Sequence, residues 1–234
     1  ITTNEGIEIE ADRFEYIKDI NLLNASGNVK VIDNLNNYLI YSKNLIYKKN
    51  DDIIFTKFNS RAISLEDKLE IIADDFEYNR VKNIISAKKN VVLEDKIENY
   101  KIFSDFLKYF KNEEKIFAKG NVLVLEKDKN LEIKADDVYV FKVDETITAD
   151  GNVNYRDKIN EIEIKTDKIT YLQKIDKIFT EGETYAEIQS KYKFNSKVQS
   201  KKKKLLYYIK NQNLKIAPSA KVAILISASL IKAQ

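Results

Sequence analysis

Five aspartates recur at multiples of 31 residues, at positions 12, 74, 105, 136 and 167. Neighbouring strands lie about 4.8 Å apart, so carboxylates stacked in one column would be close enough to share a calcium ion. Lys43 interrupts the column, and the glycine-rich loops of calcium-binding β-rolls are missing. The sequence therefore favours a solvated corner over a row of metal sites. Paired carboxylates for glycoside chemistry must face one cleft at roughly 5–9 Å. Here the acids recur in every copy of a repeat and fall on its wet face, so no unique pair stands out.

Other chemistries are excluded by absence. The 234 residues contain no histidine, cysteine, methionine or tryptophan. Histidine-activated nucleophiles, thiolate zinc sites, iron–sulfur clusters and disulfide frameworks are thereby ruled out. Carboxylates, lysines, tyrosines and hydroxyls remain, without an arrangement that argues for an enzyme, and no cofactor is expected. Forty basic and 37 acidic side chains nearly cancel, to a formal +3. All but four of the basic residues are lysine, whereas phosphate readers lean on arginine's bidentate fork. A nucleic-acid role is not suggested. No stretch approaches the ~20 apolar residues of a spanning helix. The chain starts at Ile1 without a charged-then-apolar leader, which reads as a mature or truncated product.

The elements that must position these residues are set by a repeat. Glycines at 27, 120, 151 and 182 open similar phrases: Ala25-Ser-Gly-Asn-Val29, Ala118-Lys-Gly-Asn-Val122, Ala149-Asp-Gly-Asn-Val153 and Thr180-Glu-Gly-Glu-Thr184. Ala87-Lys-Lys-Asn-Val91 keeps the register with lysine in place of glycine. A second phrase recurs at the same interval, from Ile7-Glu-Ile-Glu-Ala-Asp12 through Leu69–Asp74 and Leu131–Asp136 to Ile162–Asp167, with variants at Tyr38–Ser42 and Tyr100–Ser104. Six copies tile residues 7 to about 190 without net insertion. A fixed period of this size means stacked supersecondary units.

Within a copy, apolar residues alternate with the strand period of two. Stacked copies align Ile9, Ile40, Ile71, Ile102, Ile133 and Ile164 in one column. Phe14, Leu45, Phe76, Leu107, Val138 and Ile169 form a second, and Tyr16, Tyr47, Tyr78, Tyr109, Val140 and Tyr171 a third. Leu23, Ile54, Ile85, Ile116, Ile147 and Ile178 make a fourth. Intervening positions are mostly Glu, Lys, Asp and Asn, so one face of each strand is wet and the other dry. Each copy is expected to give a few short strands, bent at Ala-Asp and at the Gly-Asn turn, to two facing sheets. The handful of apolar groups in one copy cannot offset the ordering of 31 backbones, so neighbours must share a core. The period alone leaves strand direction open.

Residues 199–234 break the rhythm. Lys201 to Lys204 precede Leu-Leu-Tyr-Tyr, and the chain closes on Val222-Ala-Ile-Leu-Ile-Ser-Ala-Ser-Leu-Ile231. This tail reads as irregular or helical, either covering the end of the stack or foreign to the fold. The lysine run reads as solvated, with contact to anionic lipid phosphates as the sharper alternative.

The paired phrases "IEIEADRFEY…NASGNVKV" and "LEIKADDVYVFK…ITADGNV" resemble the OstA-like domain of the lipopolysaccharide transport proteins LptA and LptD, in which A-D-x-x-x-Y and A-x-G-N-V recur. Thr180–Ile188 followed by Lys191-Tyr-Lys-Phe is more similar to the LptD N-terminal domain than to free-standing LptA. The resemblance covers residues 1–198, which are expected to form the domain, with 199–234 as a separate tail. It implies an all-β, twisted two-sheet antiparallel jellyroll whose interior carries lipid A acyl chains across the periplasm toward the outer membrane. It also implies head-to-tail docking of another such jellyroll, with outer-membrane assembly components as further partners. LptD continues into a large barrel, and the departure after residue 198 fits a truncated product.

On that reading the groove is lined by Ile9, Phe14, Tyr16, Ile40, Leu45, Ile71, Phe76, Tyr78, Ile102, Leu107, Tyr109 and Ile133, with Phe14, Phe76, Leu107 and Tyr109 reaching the lipid. The first strand, Ile7, Glu8, Ile9, Glu10 and Ala11, offers unpaired backbone groups to a partner strand. Two rivals stand beside it. A self-associating β-solenoid of the bactofilin or adhesin type has a similar period but a tight core and binds no lipid. A polysaccharide-processing β-helix enzyme requires an acidic, aromatic outer cleft that the sequence does not supply.

Overall fold

The computed structural model describes residues 6–175 and 177–189 in full and, beyond them, the backbone of four short strands. Each copy of the repeat contributes two long strands rather than several short ones. The first copy gives β1 (Ile7–Glu10), β2 (Arg13–Ile17) and β3 (Leu22–Asp33), with β1 and β2 lying along the two halves of β3. β4 (Tyr38–Lys48), β5 (Ile53–Ser64), β6 (Leu69–Asn79), β7 (Ile84–Asp95) and β8 (Tyr100–Phe110) follow, each antiparallel to the one before. Contacts group the chain into two units, Ile1–Lys119 and Gly120–Gln234, and β9 (Lys115–Glu126) runs across the division.

The second unit repeats the scheme with β10 (Leu131–Phe141), β11 (Thr146–Asp157), β12 (Ile162–Leu172) and β13 (Lys177–Ile188), again antiparallel in sequence order. β14 (Tyr192–Ser196) and β15 (Lys204–Tyr208) pair with the two ends of β13, at Thr184–Ile188 and Lys177–Phe179. β16 (Asn213–Ala217) and β17 (Ile224–Ile226) continue from β15. The expected all-β antiparallel architecture is what forms. Helix does not form in the described stretches of the tail, where Leu205-Leu-Tyr-Tyr208 and Ile224-Leu-Ile226 favour extended backbone. Lys201 to Lys203 and the rest of the tail lie outside the described residues.

Gly-Asn is not where the chain reverses. Gly27 and Asn28 sit in the middle of β3, with φ of 74° and 45°. The register with β4 steps from Ser26–Asn44 to Val29–Ser42, two residues opposite one. This is a β-bulge, which bends a long strand without ending it. The reversals lie elsewhere, at four-residue turns closed by a left-handed residue such as Asn21 (φ 50°), Asn37 (58°), Asp52 (51°) or Asn83 (52°). Asparagine and aspartate tolerate that conformation better than most side chains. Turn after turn can therefore be built with few glycines and one proline.

The turns stack into two rims, each tied together by backbone hydrogen bonds. On one rim, Lys49 N–H donates to the Asn21 carbonyl, Arg80 to Asp52 and Lys111 to Asn83. On the other, Asn34 donates to Gly6, Leu65 to Asn37 and Lys96 to Lys68. The second unit keeps both patterns, with Gln173 bonding Glu145 and Lys158 bonding Asn130.

Candidate functional site

Alternation places one side of every long strand in the dry interior. Ile9, Ile40, Ile71, Ile102 and Ile133 are at most 1% exposed, and Leu45, Phe76, Leu107, Tyr78 and Tyr109 at most 4%. These candidate groove residues are packed against protein from every side. Phe14 and Tyr16 differ, at 36% and 50% exposure. Beside them a cleft of about 250 Å³ is lined by Phe14, Ala25 and Leu45 together with Arg13, Glu15 and Ile46. Ile17, Ile20 and Ile46 add further exposed apolar surface near this end. In the candidate docking strand, Ile7 and Ile9 point inward and are fully buried, and Glu10 faces out. β1 is hydrogen-bonded along one side to β3.

In the first unit, side chains of one rim reach across to the other, about a copy and a half back in sequence or, from Lys111 to Asn36, 75 residues back. Arg80 donates from Nε and Nη2 to the two carboxylate oxygens of Asp33 at 2.8 and 3.2 Å. Its Nη1 holds Asp52 of its own rim at 2.7 and 2.9 Å. Tyr78 Oη donates to Asp33 at 2.9 Å and Tyr109 Oη to Asp67 at 3.0 Å. Lys111 Nζ donates to the Asn36 carbonyl at 2.9 Å, pairs with Glu66 at 3.0 Å and lies 5.1 Å from the centre of the Tyr38 ring. Tyr38 packs edge-on against Tyr78, ring centres 5.1 Å apart.

Burial fixes the electrostatics of this closure. Burial alone would raise the Asp33 pKa, but the Arg80 guanidinium and the Asn36 side chain more than reverse that and hold it below the usual carboxylate value. Desolvation would lower the Arg80 pKa, and its hydrogen bonds to Asp33 and Asp52 push it up instead. Tyr38, Tyr78 and Tyr109 are pushed far above the ordinary phenol range, first by burial and then by neighbouring groups, Asp67 and Asp33 for Tyr38, Asp33 for Tyr78, and the Tyr38 phenol and then Asp67 for Tyr109.

The aspartate column has a structural task at the bulges. Asp12 Oδ2 accepts from the Asn28 side chain at 2.9 Å, Asp74 from Asn90 at 2.8 Å and Asp136 from Asn152 at 2.8 Å. Among the described residues, no group of three or more acidic side chains could hold a metal ion. Two buried hydroxyl clusters escaped sequence reasoning. Thr56 and Ser42 both bond Ser60, at 2.7 and 3.1 Å, and Thr180 and Thr166 bond Thr184 at 3.0 and 2.8 Å. Their signal was available, since these six replace the alanines and valines of the repeat phrases.

Together these features define an all-β antiparallel repeat protein with an apolar interior, a polar closure between the rims of its first unit, and exposed Phe14 and Tyr16 in the first copy. No known protein family and no curated protein matches the sequence. Among solved structures the chain is similar to LptH of Pseudomonas aeruginosa, described as the LptA homologous periplasmic component of the conserved lipopolysaccharide transport device. Identity is 10%, the match covers 62% of this chain and 82% of LptH, and the TM-score is 0.26. At that identity and score, the argument for function rests on the geometry of this chain.

Proposed function

We propose that the chain is a non-enzymatic lipid conduit, a periplasmic module of the lipopolysaccharide transport type, closest in kind to the N-terminal domain of LptD. Residues 1–198 form the conduit and 199–234 a tail. The supporting observation is the exposure of Phe14 and Tyr16 on the first copy, with Phe14 lining a cleft that Ala25 and Leu45 also line. Each methylene of an acyl chain buried there gains about 0.8 kcal/mol. The outer side of β1 is the docking edge for an upstream jellyroll, and outer-membrane assembly components receive the lipid. No catalytic step is assigned.

Native mass spectrometry with added lipopolysaccharide tests this. The expected result is a one-to-one adduct that survives detergent removal and is lost in Phe14→Asp/Tyr16→Asp, a change at exposed positions, as well as in Phe76→Asp/Leu107→Asp. Circular dichroism checks that the exposed pair leaves the fold intact. No adduct with the parent chain overturns the reading. The tight burial of the interior columns favours the second reading, a self-associating β-solenoid, which predicts ladders of protein oligomers instead.

A further inference from the structure

Bonding within a rim and bonding between rims differ in kind. Each rim is tied along its length by backbone hydrogen bonds between successive turns. The crossing bonds described above are made by side chains: Arg80 and Tyr78 on Asp33, Tyr109 on Asp67, and Lys111 on Asn36 and Glu66. Behind them Phe76 and Leu107 are sealed from solvent. Two internally tied rims joined by side-chain bridges can part without breaking either rim.

We infer that Arg80 and Lys111 form a latch across the mouth of the first unit, and that parting it admits the chain of an anionic amphiphile to the interior. The inference rests on the conduit reading and names the regulation and ligand class of that site. The chemistry favours an anion because both bridging groups are cations held by carboxylates. A phosphate brought to the mouth offers Arg80 and Lys111 the same charge-assisted bonds that Asp33 and Glu66 give up. An uncharged amphiphile would break those bonds without replacing them. The closed state also carries a defect there, since the buried Tyr38 hydroxyl has no hydrogen-bond partner among the described residues.

The chain has no cysteine of its own, so Asn36→Cys/Lys111→Cys can be joined by a short bifunctional thiol reagent. One variant then supplies a weakened latch before the reaction and a locked one after it. Uptake of the anionic fluorescent probe 1-anilinonaphthalene-8-sulfonate should be about tenfold faster than the parent's in the unjoined form and slower than the parent's in the joined form. Lys111→Gln, which adds no cysteine, should raise hydrogen exchange in turns 34–37 and 80–83 about tenfold. Equal uptake by joined and unjoined protein overturns the latch, as does unchanged exchange in Lys111→Gln. Lipopolysaccharide adducts, read on the same samples, separate the two proposals. Adducts formed equally by the joined protein sink the latch and leave the conduit. Adducts absent from parent and unjoined protein alike, while probe uptake follows the lock, sink the conduit and leave the latch.

Discussion

Asp12 and Gly27 meet at the first bulge, where the aspartate carboxylate lies over the glycine Cα so closely that a Cβ there would overlap it. The pair links the two sequence phrases of the repeat. Ala-Asp and Gly-Asn recur together because the aspartate of one strand caps the bulge of the next, accepting from the bulge asparagine. The link is not strict: the third copy keeps Asp74 and its bond from Asn90 with Lys89 at φ 65° in the glycine position, and the second copy lacks both aspartate and glycine. There Lys43 stands in the aspartate position, and the bulge accommodates Phe58 at φ 68°.

Gly151→Ala should therefore destabilise the protein by about 1–3 kcal/mol, combining a strained left-handed alanine with a clash against Asp136. Removing the carboxylate as well, in Asp136→Ala/Gly151→Ala, should recover the steric part. Denaturant unfolding of these two variants and of Asp136→Ala alone measures this. Simple addition of the two single losses would show that aspartate and glycine do not interact.

The isoleucine column should behave as core. Ile102→Ala removes a fully buried side chain and should cost about 2–5 kcal/mol, whereas Ile20→Ala, at an exposed turn, should stay within about 0.5 kcal/mol of the parent. Urea midpoints at a common slope provide the comparison. A small loss at Ile102 would mean that the column is not closely packed.

How far the sequence could be read follows from what each signal reports. Strict alternation around Ile9, Ile40 and their successors marked the dry face, because burial and the strand period act on single residues. The repeat marked stacking for the same reason. Gly-Asn was misread as a turn because a bulge and a turn demand the same positive φ, and only the register of β3 against β4 separates them. The true turns were hidden because Asn21, Asn37 and Asn83 reach the left-handed region without glycine. The latch was not legible, since Arg80 and Asp33 are 47 residues apart and local pattern says nothing about one rim reaching the other. Phe14 and Tyr16 looked equivalent to their columns, yet they are exposed where their column mates are buried.

Tyrosine ionisation should divide into two populations. Fourteen tyrosines are present, and Tyr38, Tyr78 and Tyr109 have their pKa values raised by burial and by adjacent carboxylates. In an ultraviolet titration these three should stay protonated in the folded protein and ionise only when alkali unfolds it. Folding then favours the protonated form, so the stability that these groups contribute is complete below about pH 10 and lost as the pH rises further. Replacing all three with phenylalanine should leave the folded-state titration curve unchanged in amplitude. A smaller amplitude would place their hydroxyls in contact with water.

Acid should act on the Arg80–Asp33 pair. The Asp33 pKa lies below its ordinary value of 3.8 in the folded state, so folding favours the ionised form. Its contribution is present above pH 3.8 and is lost as the pH falls through the depressed folded value. Glu70, held down by its hydrogen bond from Arg61, and Glu132, held down by Lys134, lose stability in the same direction. Acid unfolding of the parent chain alone cannot isolate Asp33 for that reason. The comparison with Asp33→Asn does, because it cancels the other carboxylates. At neutral pH the variant should be less stable by about 3 kcal/mol, the usual cost of leaving a buried guanidinium without one partner. That gap should narrow as the pH drops below 3.8, where the carboxyl of the unfolded chain takes up its proton first, and close as the pH falls through the depressed folded value. A gap that stays constant from about pH 7 to about pH 2 would mean that Asp33 acts through the shape of its hydrogen bonds and not through its charge.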